Sequence, residues 1–198
     1  EARDVGWPTV FIRLTGCPLR CVYCDTTYSF TGGHTMDLGE VLDAVAAYDC
    51  RHVCVTGGEP LAQKTCPILL KALCDEGYEV SLETSGAMDV SPVDPRVVKV
   101  MDLKTPSSGE EGKNYLRNLD FLCPRDQVKF VIQDRRDYDW SVQLMQEHDL
   151  GRRFDVLFSP VADDLAPGTL ADWILHDRLP VRFQIQLHKY LWGDEKGR

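Results

Sequence analysis

Cys17, Cys21 and Cys24 stand within eight positions of one another in the run GCPLRCVYCDT, residues 16–26. Three thiols are an odd number for disulfides and one short of a closed tetrahedral zinc site. His34 or Cys50 would have to supply a fourth zinc ligand, and neither has the usual paired spacing. An iron–sulfur cluster suits the set better, because thiolates hold such clusters and ordinary electron-transfer clusters use four of them. Three cysteines leave one iron of a [4Fe–4S] cube without a protein ligand, open to a substrate or cofactor. A zinc-stabilised binding module without catalysis is the alternative from another class.

Polar punctuation elsewhere sits where strands should end. TGGEP (56–60), ETSG (83–86), DLKTP (102–106) and SPV (159–161) each follow a β-branched or apolar run. The pattern expects strands over 9–14, 51–57, 78–86, 97–104, 126–133, 154–161 and 180–191. It expects helices over 37–48, 66–77, 137–148 and 168–176. Leu38, Val41, Leu42 and Val45 fall at i, i+3, i+4, i+7, with Asp37 and Glu40 placed for a capping box. Near-continuous apolar strands alternating with helices indicate parallel βα units. The fold expected is a single α/β domain over residues 1–198, a partial, reduced (β/α)6-type barrel of parallel strands. Its chemistry should gather at the carboxyl ends of the strands.

Composition narrows the function. The 198 residues carry a formal net charge of -9, a poor match to a broad nucleic-acid or anionic membrane surface. No run of about 18 apolar residues occurs, so no helix spanning a membrane is expected. The opening EARDVGWP is no signal peptide and lacks Met, so the natural start is expected further upstream. The other five cysteines, at 50, 54, 66, 74 and 123, show no disulfide framework, which points to reduced thiols and a cytoplasmic location. Cys54 and Cys74 read as small buried hydrophobes.

The C-x3-C-x2-C spacing, with Tyr23 before the last cysteine, resembles the signature of radical S-adenosylmethionine (SAM) enzymes. TGGEP resembles the glycine-rich element of that superfamily, which meets the SAM amino group. More of the chain is similar to one family within it. VFIRLTGCPLRCVYCDT, VTGGEP, ETSG, DLKTP and the terminal QLHKYL together resemble 7-carboxy-7-deazaguanine synthase. The resemblance implies ring contraction of 6-carboxy-5,6,7,8-tetrahydropterin to 7-carboxy-7-deazaguanine, with loss of ammonia, in queuosine biosynthesis. It implies a [4Fe–4S] cluster, SAM, Mg2+, a flavodoxin-like electron donor and a homodimer. A glycyl-radical-enzyme activase is the alternative within the superfamily; it needs neither Arg13 nor the QLHKYL end.

Residue by residue, the resemblance assigns Cys17, Cys21 and Cys24 to the cluster, and Tyr23, Asp25 and Gly58 to the cofactor. Glu59 is expected to offer a carboxylate to the SAM ammonium. Asp102, Leu103 and Lys104 match a cofactor-binding tripeptide, and Glu83 and Ser159 lie in cofactor-lining segments. Thr26 matches a Mg2+ ligand, with a helix-capping role for Thr26 and Thr27 as the alternative. Arg13 and Thr56 match substrate contacts, and His188 is placed near the substrate. Arg13 also stands out physically: an unpaired charge inside the apolar run VFIRL would be costly. Three departures bear on the site. The family's leading Leu-Gln-Gly-Glu-Gly stretch lies outside this chain, Leu187 replaces a threonine, and the chain runs on past the terminal motif as WGDEKGR. The tripeptide often reads Ser-Pro-Lys in the family. Anaerobic reconstitution with iron and sulfide should give the visible absorbance of thiolate-to-iron charge transfer; protein that takes up zinc but neither iron nor sulfide would contradict the cluster.

Overall fold

In the computed structural model, which describes residues 2–193 and 195, seven parallel strands stand side by side in chain order. They are β1 (Thr9–Leu14), β2 (His52–Gly57), β3 (Glu79–Thr84), β4 (Val98–Asp102), β5 (Gln127–Ile132), β6 (Asp155–Pro160) and β7 (Arg182–Phe183). The order β1 to β7 contains no reversal, so every crossover steps the same way and the sheet winds about one axis. Among the described residues β7 does not pair back to β1, so the barrel stays open. This is the partial barrel that the alternating pattern implies.

The helices form where capping and apolar spacing agree. Asp37 accepts from the Glu40 amide at 2.9 Å, while Glu40 accepts from the Asp37 amide at 2.8 Å, closing the expected capping box of α1 (Leu38–Ala46). Helix α2 (Cys66–Asp75) opens with Pro67 in its first turn. Asp134 caps α3 (Arg135–Glu147), and a short α4 (Leu150–Arg153), not expected from the pattern, leads into β6. Then follow α5 (Pro167–Asp177) and α6 (Leu187–Trp192).

One expectation is corrected. The strand expected over 180–191 keeps only Arg182–Phe183, and QLHKYL turns into α6. An edge strand has a ladder on one side only, and a short apolar run satisfies a helical period as readily as an alternating one. Between β4 and β5 the chain runs through short 3-10 turns.

The outer face of the sheet carries the core. Val53, Val55, Val80 and Leu82 pack with Leu69, Leu70 and Leu73 of α2. Phe130, Ile132 and Phe158 pack with Tyr138 and Leu144 of α3 and with Leu170 and Ile174 of α5. Alternation then sends the intervening side chains inward. Those are Arg13, Thr56, Glu83, Asp102 and Lys129, which line a central cavity above a small apolar floor of Val100 and Leu157.

One charge is buried on the outer side. The Lys99 ammonium, with a side chain only 5% exposed, lies 3.0 Å from the fully buried Asp126 carboxylate. Asp126 also accepts from the amides of Lys99 and Cys123, both at 2.8 Å, so the pair joins β4 to the start of β5. Removing one partner strands the other charge in the core. Asp126→Ala should therefore lower the unfolding free energy by about 3–5 kcal/mol, measured by urea denaturation.

Candidate active site

The cysteine loop follows β1 and rests on the end of β2. The Gly58 amide donates to the Leu14 carbonyl at 3.0 Å, and the Glu59 amide to the Gly16 carbonyl at 2.8 Å. Both glycines of TGGEP are required by this contact. Gly57 has φ +148°, and a Cβ on it would lie 1.9 Å from the Leu14 carbonyl oxygen. A Cβ on Gly58 would lie 2.3 Å from the Gly16 oxygen and 2.9 Å from Cys17 Cβ. Buried Leu19 anchors the loop from within. Arg20 ties it from outside, donating to the carbonyls of Cys17 and Leu19 at 2.7 and 2.6 Å while its guanidinium lies 4.4 Å from the Phe30 ring centre.

Glu59 is where the structure departs from the expected role. It is fully buried. Its carboxylate accepts from the Leu61 amide at 3.0 Å, the Thr84 hydroxyl at 2.9 Å, and the Ser85 amide at 2.6 Å, with the Ser85 hydroxyl as a further donor. Its oxygens are taken by donors of the same chain and do not line the cavity. Glu59 thus stitches TGGEP to ETSG and sets the ends of β2 and β3 rather than facing a ligand ammonium.

The cavity has a volume of about 1030 Å3, the size class that holds a small-molecule ligand and more. Arg13, Cys17, Cys21, Tyr23, Cys24, Asp25, Thr26, Thr56, Gly58, Glu83, Asp102, Lys104 and His188 all line it. Of the expected site residues, Leu103 and Ser159 join Glu59 in not lining it. Leu103 packs in the outer core, since it alternates with inward Asp102 and Lys104, and Ser159 is buried within β6.

Electrostatics distinguish the cavity from the acidic surface. Lys104 donates to Asp102 at 2.7 Å, and its backbone is clamped by the Asn114 side chain through bonds of 2.8 and 2.9 Å. Burial works to lower the Lys104 pKa, but Asp102, Cys21 and Tyr23 outweigh it and hold the ammonium well above its ordinary value. Burial pushes the Cys21 thiol up, against the opposing pull of Lys104, and pushes Cys24 up as well. The Tyr23 phenol, raised mainly by burial, lies 3.2 Å from the Thr105 hydroxyl. Thr26 does not cap the following 3-10 turn with its side chain. Its hydroxyl donates to Asp25 at 2.7 Å, and Gln186 donates to the other Asp25 oxygen. Arg13 lies 5.6 Å from the Tyr28 ring centre.

Some lining residues escaped the sequence pattern, among them Lys129, Ser85 and Gln186. Lys129 had a readable signal. It is a lone cation in the apolar strand QVKFVI, the same oddity that marked Arg13 in VFIRL.

Comparison with known proteins gives the family. Residues 11–102 match the model of the Radical SAM superfamily. The 7-carboxy-7-deazaguanine synthase of Chlorobaculum tepidum is 43% identical, covering 100% of this chain and 91% of its own. That of Koribacter versatilis is 39% identical over 98% of this chain and 93% of its own. The chain belongs to the 7-carboxy-7-deazaguanine synthase family. The one in Leptospira interrogans is 33% identical over 100% of this chain and 92% of its own. Streptococcus suis SuiB bound to S-adenosylmethionine shares the fold, with a TM-score of 0.60 at 13% identity over 90% of this chain. The chain spans about half the length of SuiB, 50%.

Membership in a radical SAM family of synthases implies a [4Fe–4S] cluster and SAM, and the residues fit both. Three free thiols face one cavity from one anchored loop. Among the described residues no three His, Cys, Asp or Glu side chains converge for a single metal ion. Cluster cysteines do not need to converge in that way, since each binds a different iron. Gly58→Ala should displace Cys17 and cut the iron taken up on anaerobic reconstitution to less than about half, read by iron and sulfide analysis.

Proposed function

We propose that this chain catalyses conversion of 6-carboxy-5,6,7,8-tetrahydropterin to 7-carboxy-7-deazaguanine with release of ammonia, a step toward queuosine. The observation carrying this reading is the convergence of the cysteine loop, Gly58, the Asp102–Lys104 pair and Arg13 on one cavity at the carboxyl ends of β1 to β4. When bound, the cluster and SAM supply a 5′-deoxyadenosyl radical able to take hydrogen from C6 of the pterin. The protein's part is to bind, orient and exclude water.

Cys17, Cys21 and Cys24 would hold the cluster, with Arg20 and Leu19 keeping their loop in place. Lys104, held charged by Asp102, presents donors to the cofactor, and Tyr23 offers it a ring face. Arg13 suits the pterin carboxylate, because a planar guanidinium can bind a carboxylate through two parallel bonds. Thr56 and His188 face the same space.

Thr26 would hold Mg2+, with Asp25 beside it as a cofactor contact. The Thr26 proton is directed at Asp25, which leaves the hydroxyl lone pairs available to a hard cation. Residues 1–198 are read as one radical SAM domain, since one sheet takes in all seven strands. A homodimer, a flavodoxin-like electron donor and a cytoplasmic setting complete the reading. All eight cysteines are free, as a reducing compartment would keep them, and no described helix is long and apolar enough to cross a membrane.

The test is anaerobic turnover of 6-carboxytetrahydropterin with SAM, dithionite and Mg2+, followed by mass analysis. Product at the mass of 7-carboxy-7-deazaguanine is expected, and Cys21→Ala should abolish it. Arg13→Met should raise KM for the pterin by about ten- to hundredfold, the loss of a charge-assisted contact of roughly 1.5–3 kcal/mol. Cleavage of SAM without pterin turnover would favour a glycyl-radical activase instead.

A further inference from the structure

Among the charged side chains lining the lumen are Arg13 on β1, Glu83 on β3, Asp102 on β4, Lys104 just beyond it, and Lys129 on β5. Asp102 and Lys104 make a tight pair at 2.7 Å. Lys129 stands beside Asp102 in the sheet register, yet the carboxylate it faces is Glu83, at 3.9 Å. Glu83 lies opposite Val100 on β4, so Lys129 must reach across the whole of β4 to meet it. Two strand spacings are about 10 Å, a span that the lysine and glutamate side chains close together, meeting over the apolar floor of Val100. Both side chains are mostly buried, 14% and 19% exposed, and both line the cavity.

We propose that Lys129 is a positioning residue. It draws Glu83 over β4 and holds its carboxylate toward the cavity, where Glu83 accepts O–H or N–H groups of the bound small molecule. The rest of the lumen favours this division. Asp102 is held by Lys104, and the cation arriving from β5 faces Glu83. The separation of 3.9 Å is longer than a hydrogen-bonded ion pair. Such a contact steers Glu83 without a direct hydrogen bond between the two side chains. Apart from Gln127 and Lys129 the strand is apolar, so a mostly buried cation there carries a desolvation cost. The inference rests on the function proposed above.

The test is a double-mutant cycle on binding rather than turnover. Anaerobically reconstituted wild type, Lys129→Gln, Glu83→Gln and the double variant are titrated with SAM, and then with 6-carboxytetrahydropterin, by calorimetry. Thermal midpoint and iron content are measured alongside. Lys129→Gln should weaken at least one of the two probes by about tenfold, with iron content unchanged. In the Glu83→Gln background the same change should have little further effect, because Lys129 acts through Glu83. Lys129→Arg should restore binding to within about threefold. Losses that multiply in the double variant would overturn the proposal, showing that Lys129 meets the ligand directly. Unchanged binding in Lys129→Gln, or no rescue by arginine, would overturn it too. If Lys129→Gln does not fold, the arginine variant and the Glu83→Gln comparison still decide: a folded Lys129→Arg that binds as poorly as Glu83→Gln rejects the role. Failure of the wild type to bind either probe would instead overturn the proposed function, and this inference with it.

Discussion

The site depends on a main-chain contact that has no room for a single methyl group. The first loop lies against the second, with the Leu14 and Gly16 carbonyls accepting from the Gly58 and Glu59 amides. Hydrogen bonds of this kind need the two backbones within about 3 Å, and any Cβ at 57 or 58 would sit inside that gap. Both glycines follow from this, as does the positive φ at Gly57. The placement of Cys17 follows as well, since its Cβ lies within contact distance of the position a Gly58 side chain would take. The three thiols can address one space because the loop that carries them is seated on TGGEP.

Glu59 extends the same device. A buried carboxylate costs several kcal/mol unless its lone pairs are met. Here donors from Leu61, Thr84 and Ser85 meet them, which fixes the end of β2 against the end of β3. Asp137 does the equivalent on the far side. It is fully buried and accepts from the Ser107 and Gln133 amides and the Thr105 hydroxyl, so the loops after β4 and β5 are held together. Thr105 in turn lies beside the Tyr23 phenol. Buried carboxylates outside the cavity thus hold the rim, while Arg13, Glu83, Asp102, Lys104 and Lys129 line the space within it.

Much of this was legible in the residues. The spacing of Cys17, Cys21 and Cys24 names its own chemistry, because three thiolates leave a metal cluster incomplete in a useful way. Arg13 was legible as a charge in an apolar strand, and Asp37 with Glu40 as a capping box. Lys129 carried the same kind of signal as Arg13 but no family motif drew attention to it. Glu59 was misread for a physical reason: a carboxylate beside two glycines at a strand end looks identical whether it faces the cavity or the neighbouring loop. Leu103 was misplaced because a motif gives a run of residues, whereas alternation decides which of them look inward; Ser159 stands on the inward register of β6, opposite Val131, but is buried below the cavity surface.

The sequence by itself determined the chemistry available and the class of scaffold. Thiol spacing, glycine pairs and strand–helix alternation are local properties, and each reports on atoms a few bonds apart. Only the tertiary structure decided which polar groups face the cavity and which serve each other. Partners such as Glu59 with Ser85, Lys129 with Glu83 and Gln186 with Asp25 lie 26, 46 and 161 residues apart. They meet because winding the sheet about one axis brings the ends of distant strands to a common rim. It decided too that QLHKYL is a helix, since an edge strand lacks the second ladder that would have kept it extended.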